Sequence, residues 1–195
     1  VIRLLEVLSQ DAITYSRERA CRHLFDLLKN GSPVEQAQNI LTLLCNKLGD
    51  GERRLASRIP FYLTELVNAH PQQLTLLACE HVKAVVDRKG VSDKTRYYAL
   101  TFLVQIRLSP SQPGITAVLL QIYFGLFQQY IVDNLQAASK PSKYPKRDKR
   151  IRQKKRARGE EPADSATAAL NIPAEHARMA RILLTGINRA FPFAV

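Results

Sequence analysis

At 195 residues and 46% hydrophobic content the chain is long enough to bury a sizeable core, and its Leu-, Ala- and Gln-rich make-up with only eight Gly points to helices. No uninterrupted apolar stretch approaches the roughly 18 residues that a bilayer-crossing helix needs, which excludes a membrane-spanning helix. The formal net charge of +12 asks for an anionic partner or a solvated segment, and its distribution along the chain decides which.

Val1 to Leu8 reads as the tail of a helix whose Leu4, Leu5 and Leu8 need a neighbour. Opening in VIRLLEVLS with no initiating Met and no leader pattern, the chain is expected to be a piece of a longer protein. From Asp11 to Asn30, Ile13, Ala20, Leu24, Leu27 and Leu28 recur at helical spacing, and Asn30-Gly31 supplies a stop. Ser32, Pro33 and Glu35 have the order of a capping box with Pro at the first helical position. The helix that follows shows Val34, Ala37, Ile40, Leu41, Leu44 and Leu48 on its inner face until Gly49-Asp50-Gly51 ends it.

The same unit returns as Glu52 to Ala69, a His70-Pro71 corner, and Gln72 to Lys89, with Leu74, Leu77, Ala78, Val82, Val85 and Val86 facing inward and Gly90 closing it. Pro60 falls inside the first of these helices, where a missing N–H and a ring clash predict a kink at Ile59-Pro60. A third unit runs from Asp93 to Leu108, turns through SPSQPG and continues from Ile115 to about Ala138. First helices thus start near 11, 52 and 93, and Pro33, Pro71 and Pro113 mark the second ones. A period of about 40 residues with two helices each is the spacing of HEAT and armadillo arrays, so the fold class is all-α, a helical-repeat solenoid over residues 1–138. The third unit carries Tyr97, Tyr98, Tyr123, Phe124 and Phe127 all round its helices, which predicts burial between neighbours rather than stacking on bases.

Residues 139–171 break the period. Lys140, Lys143, Lys146, Arg147, Lys149, Arg150, Arg152, Lys154, Lys155, Arg156 and Arg158 share one run with a single acid, Asp148. Removing those 11 bases and 1 acid from the totals of 29 and 17 leaves 18 against 16, so the rest of the chain is close to neutral. Such a run cannot bury its charges for the little apolar area of Tyr144 and Ile151; it is read as a mobile cationic insertion that stays in water or meets phosphates. The small, polar GEEPADSATAA follows. Pro173 then reopens a helix in 172–195, with Ala177, Ala180, Ile182, Leu183, Leu184 and Ile187 on one face. That segment is expected to dock on absent neighbouring repeats through Leu183, Leu184, Ile187, Phe191 and Phe193.

Several of these stretches carry more than helical character. GDGERRLAS (49–57), NAHP (68–71), RYYALTFLVQI (96–106), IYFGLF (122–127) and LLTGINRAFPFA (183–194) resemble the CCAAT-binding-factor family of ribosome-assembly proteins, in the right order over most of Gly49 to Ala194. Residues 1–48 match by helical character only. Two departures touch local geometry: Pro60 stands where family members carry a helix former, and Val104 replaces the Asn of FLNQI. The resemblance implies a non-catalytic scaffold of the early large-subunit precursor in the nucleolus. It also implies precursor ribosomal RNA, the second nucleolar-complex protein and other assembly factors as partners. The alternative is a nuclear helical adaptor or transcription co-factor whose basic tract is only a localisation signal.

The residues leave little room for catalysis. Cys21-x-His23 and Cys79-x-His81 place their side chains about 200° apart round a helix and cannot chelate together, so no metal and no cofactor is expected. The odd count of three Cys, each in an apolar helical pattern, fits buried thiols in a reducing compartment. His70 reads as a corner residue and His176 as a first-turn surface residue. Glu160-Glu161 lies in the insertion with no fixed partner to tune it, and no nucleophile elbow, Walker loop or dinucleotide fingerprint occurs.

Overall fold

The computed structural model describes residues 1–31, 33–110, 112–139 and 174–194, and every regular element among them is helical. The basic run, the polar tract with Glu160 and Glu161, Ser32 of the expected capping box and Pro173 lie outside the described residues. Helix α1 (Ile2–Ser9) precedes three helix pairs. These are α2 (Thr14–Lys29) with α3 (Val34–Asn46), α4 (Arg53–Ala69) with α5 (Pro71–Val86), and α6 (Asp93–Leu103) with α7 (Pro113–Ser139). Helix α8 (Ala174–Ala190) ends in a 3-10 turn, Phe191–Phe193.

Local chemistry sets most of these boundaries. Gly31 and Gly90 close α2 and the α5 turn at φ of +88° and +80°, a conformation that a Cβ would penalise. Ser92 caps α6 by accepting from the Thr95 N–H at 3.3 Å, and Pro71 opens α5 where a missing N–H costs nothing. Two expected boundaries, those of α3 and α6, need correcting, whereas α4 holds Pro60 inside one helix as the sequence placed it. Helix α3 starts one residue later than a capping box requires, because Pro33, extended at ψ 149°, is itself the N-cap, and no side chain bonds it. Helix α4 passes through Pro60 as one helix, with the Thr64 hydroxyl donating to the Pro60 carbonyl at 2.8 Å. Helix α6 stops at Leu103 instead of Leu108: Gln105 and Ile106 donate to Phe102 and Leu103 in tightened three-residue turns, and the chain leaves the helix.

Packing follows the repeat. Helices α2, α4 and α6 form one row, α3 and α5 pack beside each other behind it, and α1 lies on α2. Phe25 stacks on Tyr62 at 4.7 Å, and Lys29 Nζ meets Glu65 at 3.3 Å one turn on, so α2 and α4 run parallel. Polar bonds between successive units join residues about one period apart. Thr42 pairs with His81, Asn46 accepts from Arg88, Thr64 pairs with Gln105 and Gln121 accepts from Lys83, at separations of 39, 42, 41 and 38 residues. The core between the rows is closed: Leu24, Ile40, Leu41, Leu44, Leu63, Leu66, Val82, Leu100 and Phe102 are each fully buried, every one worth about 2 kcal/mol of apolar transfer.

One charged site lies where α2, α3 and α4 meet. The Asp50 side chain is 5% exposed and takes a two-pronged bond from Arg17, Nε at 3.1 Å and Nη2 at 3.2 Å. Lys47 Nζ adds a 3.4 Å contact, the Glu52 N–H donates at 2.9 Å, and Arg17 Nη1 also reaches the carbonyls of Asp11 and Ala12. Burial alone raises a carboxyl's pKa, but here the Glu52 amide and the Arg17 guanidinium outweigh it and hold Asp50 below its ordinary 3.8. Contacts divide the chain into two compact units, Val1–Phe124 with Ile182–Val195, and Gly125–Arg181. In the second, Leu126, Tyr130 and Met179 are buried, and His176 meets the Tyr130 ring edge-on at 5.7 Å.

Asp50→Ala removes the acceptor from two nearly buried cations and should cost about 3 kcal/mol in urea unfolding. A folded-state pKa below 3.8 stabilises above that value and is lost as pH falls through the lower one. The advantage of the natural chain over Asp50→Ala should therefore be full near pH 6 and shrink below about pH 4. A difference that ignores pH would show that Asp50 acts only by packing.

Candidate interaction surfaces

The eleven bases from Lys140 to Arg158 lie outside the described residues, so the surfaces that can be built are those of the helical bodies. The C-terminal helix supplies one. In the first unit Leu183 and Ala190 are fully buried, and Gly186 backs onto the Tyr123 ring so closely that a Cβ there would sit 2.6 Å from it. Arg189 Nη2 donates to the Ile106 carbonyl at 3.1 Å, taking up an acceptor that the early end of α6 leaves free. The inner face of α8 is thus Leu183, Gly186 and Ala190. Of the five residues expected at a seam, Leu183 is used inside this unit and Ile187 and Phe193 are half-buried. Leu184 and Phe191, seven positions apart, remain 48% and 68% exposed.

The row of first helices presents a second surface. Along α4 the exposed residues Arg54, Ser57, Arg58 and Phe61 form a single stripe at helical spacing. Tyr15, Arg19 and Arg22 on α2 and Lys94 and Tyr97 on α6 are exposed as well. The aromatic cluster expected in the core is therefore divided: Tyr123 is buried, but Tyr97 and Phe124 are 38% and 51% exposed. Apolar residues all round α6 and α7 do not bury every side, because α6 is only eleven residues long and packs chiefly on α4 and α5. Phe61 escaped the sequence reading. The signal was its place three residues after Arg58 on a face with no inward residue.

Cys21, Cys45 and Cys79 are buried and free, as their helical pattern implies, and burial pushes their thiols up to about 11, 12 and 12. The nucleophilic thiolate is correspondingly scarce at neutral pH. His81 shares a 3.3 Å bond between Nδ1 and the Thr42 hydroxyl, which itself donates to Gln38 O at 2.9 Å, so Nδ1 carries the proton. Its Nε2 is buried with no hydrogen-bond partner among the described residues, and burial lowers the pKa. His70 Nε2 lies 3.1 Å from the Lys29 carbonyl, a corner contact as expected. Among the described residues no group of His, Cys, Asp or Glu could hold a metal ion, and no helix is long and apolar enough to cross a membrane.

No protein-family model matches the chain. It is 39% identical over 194 residues to the ribosome biogenesis protein NOC1 of Chaetomium thermophilum, covering 100% of this chain and 18% of that protein. It is 27% identical over 193 residues to human CCAAT/enhancer-binding protein zeta, covering 99% and 14%. It is also 34% identical over 94 residues to nucleolar complex protein 1 of Drosophila melanogaster, covering 48% and 8%. The chain spans about a fifth or less of the length of these relatives.

Gly186→Ala would gain about 1 kcal/mol of helix propensity at an ordinary helical site. Here the new methyl meets a rigid buried ring, so the variant should lose about 1–3 kcal/mol in urea unfolding. Leu184→Ala, two residues earlier on the other side of the helix and half-exposed, should stay within about 0.5 kcal/mol. Equal effects from the two would mean that α8 does not seat on Tyr123.

Proposed function

The chain belongs to the CCAAT-binding-factor/NOC1 family, and from that premise we propose that it is a non-catalytic scaffold segment in nucleolar assembly of the large ribosomal subunit. In this reading it contacts precursor ribosomal RNA and a nucleolar-complex partner. The observation that carries the reading is the likeness of the whole chain to a protein named for ribosome biogenesis, over 194 residues at 39% identity. The charge distribution supports it: a near-neutral helical body and a run of eleven bases with one acid divide framework from anion contact. Closely spaced Lys and Arg can neutralise phosphates along irregular RNA without reading its sequence. The buried thiols, and relatives whose names describe assembly rather than a reaction, favour scaffold over enzyme.

The exposed part of α8 has a place in the same proposal. Leu184, Ile187, Phe191 and Phe193 form a face for a neighbouring segment of the longer family protein, with Leu183 holding the helix to its own unit. If so, Leu184→Ala and Phe191→Ala should each cost about 2–5 kcal/mol in a longer natural protein that buries them, and little in the 195-residue chain. Equal costs in both would remove the seam from the proposal.

Binding through the run should be phosphate-dominated. With about six contacts on single-stranded RNA, log K should fall against log salt with a slope near −4, and each Lys or Arg removed should flatten it by about 0.7. Titrations of the chain with precursor ribosomal RNA fragments at several salt concentrations measure this. A salt-independent affinity, or binding of nuclear import receptors with none to RNA, would leave the run as a localisation signal only.

A further inference from the structure

The row α2, α4, α6 is built in a register that aligns its outward side chains. Lys29 meets Glu65 and Phe25 meets Tyr62, offsets of 36 and 37 residues, while Thr64 bonds Gln105 at an offset of 41. Carried along the parallel α2 and α4, the first two offsets set Arg22 level with Arg58, and the third, taken just past the end of α6, brings Lys94 within about one residue of the level of Arg54. Arg19 lies one turn before Arg22 on the same side of α2. Five cations thus stand on neighbouring helices whose axes pack about 8–10 Å apart. None of the five is paired with a carboxylate among the described residues, whereas Lys29, the cation further down the same row, is paired with Glu65. Among the described residues Arg19 lies over the Tyr15 ring, at 5.6 Å.

The aromatics of this face are as unusual as its charge. Tyr15, Phe61 and Tyr97 are 65%, 60% and 38% exposed, one on each helix of the row. A single exposed ring is ordinary; three on the same face as five unpaired cations are a pattern. Four of the five cations are Arg, whose planar fork suits phosphate, and flat rings beside them accept any base by its π-face. An acidic peptide would satisfy the charges but leave the rings without a flat partner.

We infer that the outer face of α2, α4 and α6 is a binding surface for single-stranded RNA, its cations holding phosphates and Tyr15, Phe61 and Tyr97 stacking on bases. This adds a second contact to the RNA reading above and uses nothing of the basic run, so the two can fail separately.

The test uses the full chain with the eleven bases of the run changed to Gln, a labelled 20-nucleotide oligouridine, and an abasic ribose-phosphate strand of the same length. Residual, salt-dependent binding of oligouridine is expected. Arg54→Gln with Arg58→Gln should reduce the log–log salt slope by about 1.4. Phe61→Ala and Phe61→Leu should each weaken oligouridine binding about tenfold at an unchanged slope, since both lose the ring and only one loses apolar bulk. Circular dichroism and the thermal midpoint should not move, because these side chains are exposed. The abasic strand should bind more weakly than oligouridine. The inference is overturned if the chain with the neutralised run binds no RNA, in which case the basic run alone carries the contact. Equal binding of the abasic strand, no effect of the Phe61 variants, or competition by polyglutamate at equal charge would overturn it too, the last pointing to an acidic protein segment. If neutralising the run changes nothing while the face variants do, the face stands and the reading of the run falls.

Discussion

The bond between Arg17 and Asp50 is the fixed point of the helical body. Arg17 stands in the first turn of α2, Asp50 in the turn between α3 and α4, and Lys47 at the end of α3, so one carboxylate joins the two helices of the first pair to the start of the second. Such a site is costly to leave half-made, because a nearly buried charge without its partner keeps the desolvation penalty and loses the attraction. Geometry is thereby selected: α4 must begin where its Glu52 amide can reach Asp50, at 2.9 Å. Gly49, just before it, lets the turn close on α6, since a Cβ there would press on Thr95 at 3.2 Å. The GDGERR stretch is therefore a junction of three helices, which gives a physical reason for its appearance among the residues that carry the family likeness.

From that junction the pattern propagates by repetition. Each unit must bury a long apolar stripe it cannot bury alone, and a neighbour one period away supplies the cover. The polar bonds spaced 38 to 42 residues apart are the visible trace of this rule, since a contact in one pair recurs between the next. The same logic explains why the ends and the outer faces differ from the middle. Where none of the described repeats covers them, apolar residues such as Leu4 and Val7 on α1, or Leu184 on α8, are exposed. Stacking units leave one side of every first helix free, and that side is where charge and aromatic rings can collect without cost to the core.

Function divides along the same lines. The interior carries neither a reactive thiol nor a metal cluster among the described residues, and its cysteines are protonated by burial. What the proposed contacts draw on is surface: a cationic run, an apolar edge on α8 and a mixed cationic and aromatic row.

Much of the architecture was legible in the residues because it is decided locally. Gly31 closes α2 and Gly90 the turn after α5 since they tolerate positive φ, Pro71 and Pro113 open helices, and apolar spacing near 3.6 marks inner faces, so the three helix pairs and their period follow from short-range chemistry. The family likeness was equally open to reading, as was the concentration of charge in one run. Only the tertiary structure decided the rest, because those facts depend on which residue lies opposite another distant in the chain. Arg17 and Asp50 are 33 positions apart, and neither announces the other. Gly186 looks like an ordinary helix-weakening residue until the Tyr123 ring is seen against it. Tyr97, Phe124 and Phe61 have the composition of core residues, and periodicity records that a helix is apolar on a given side without recording whether a neighbour is there to cover it.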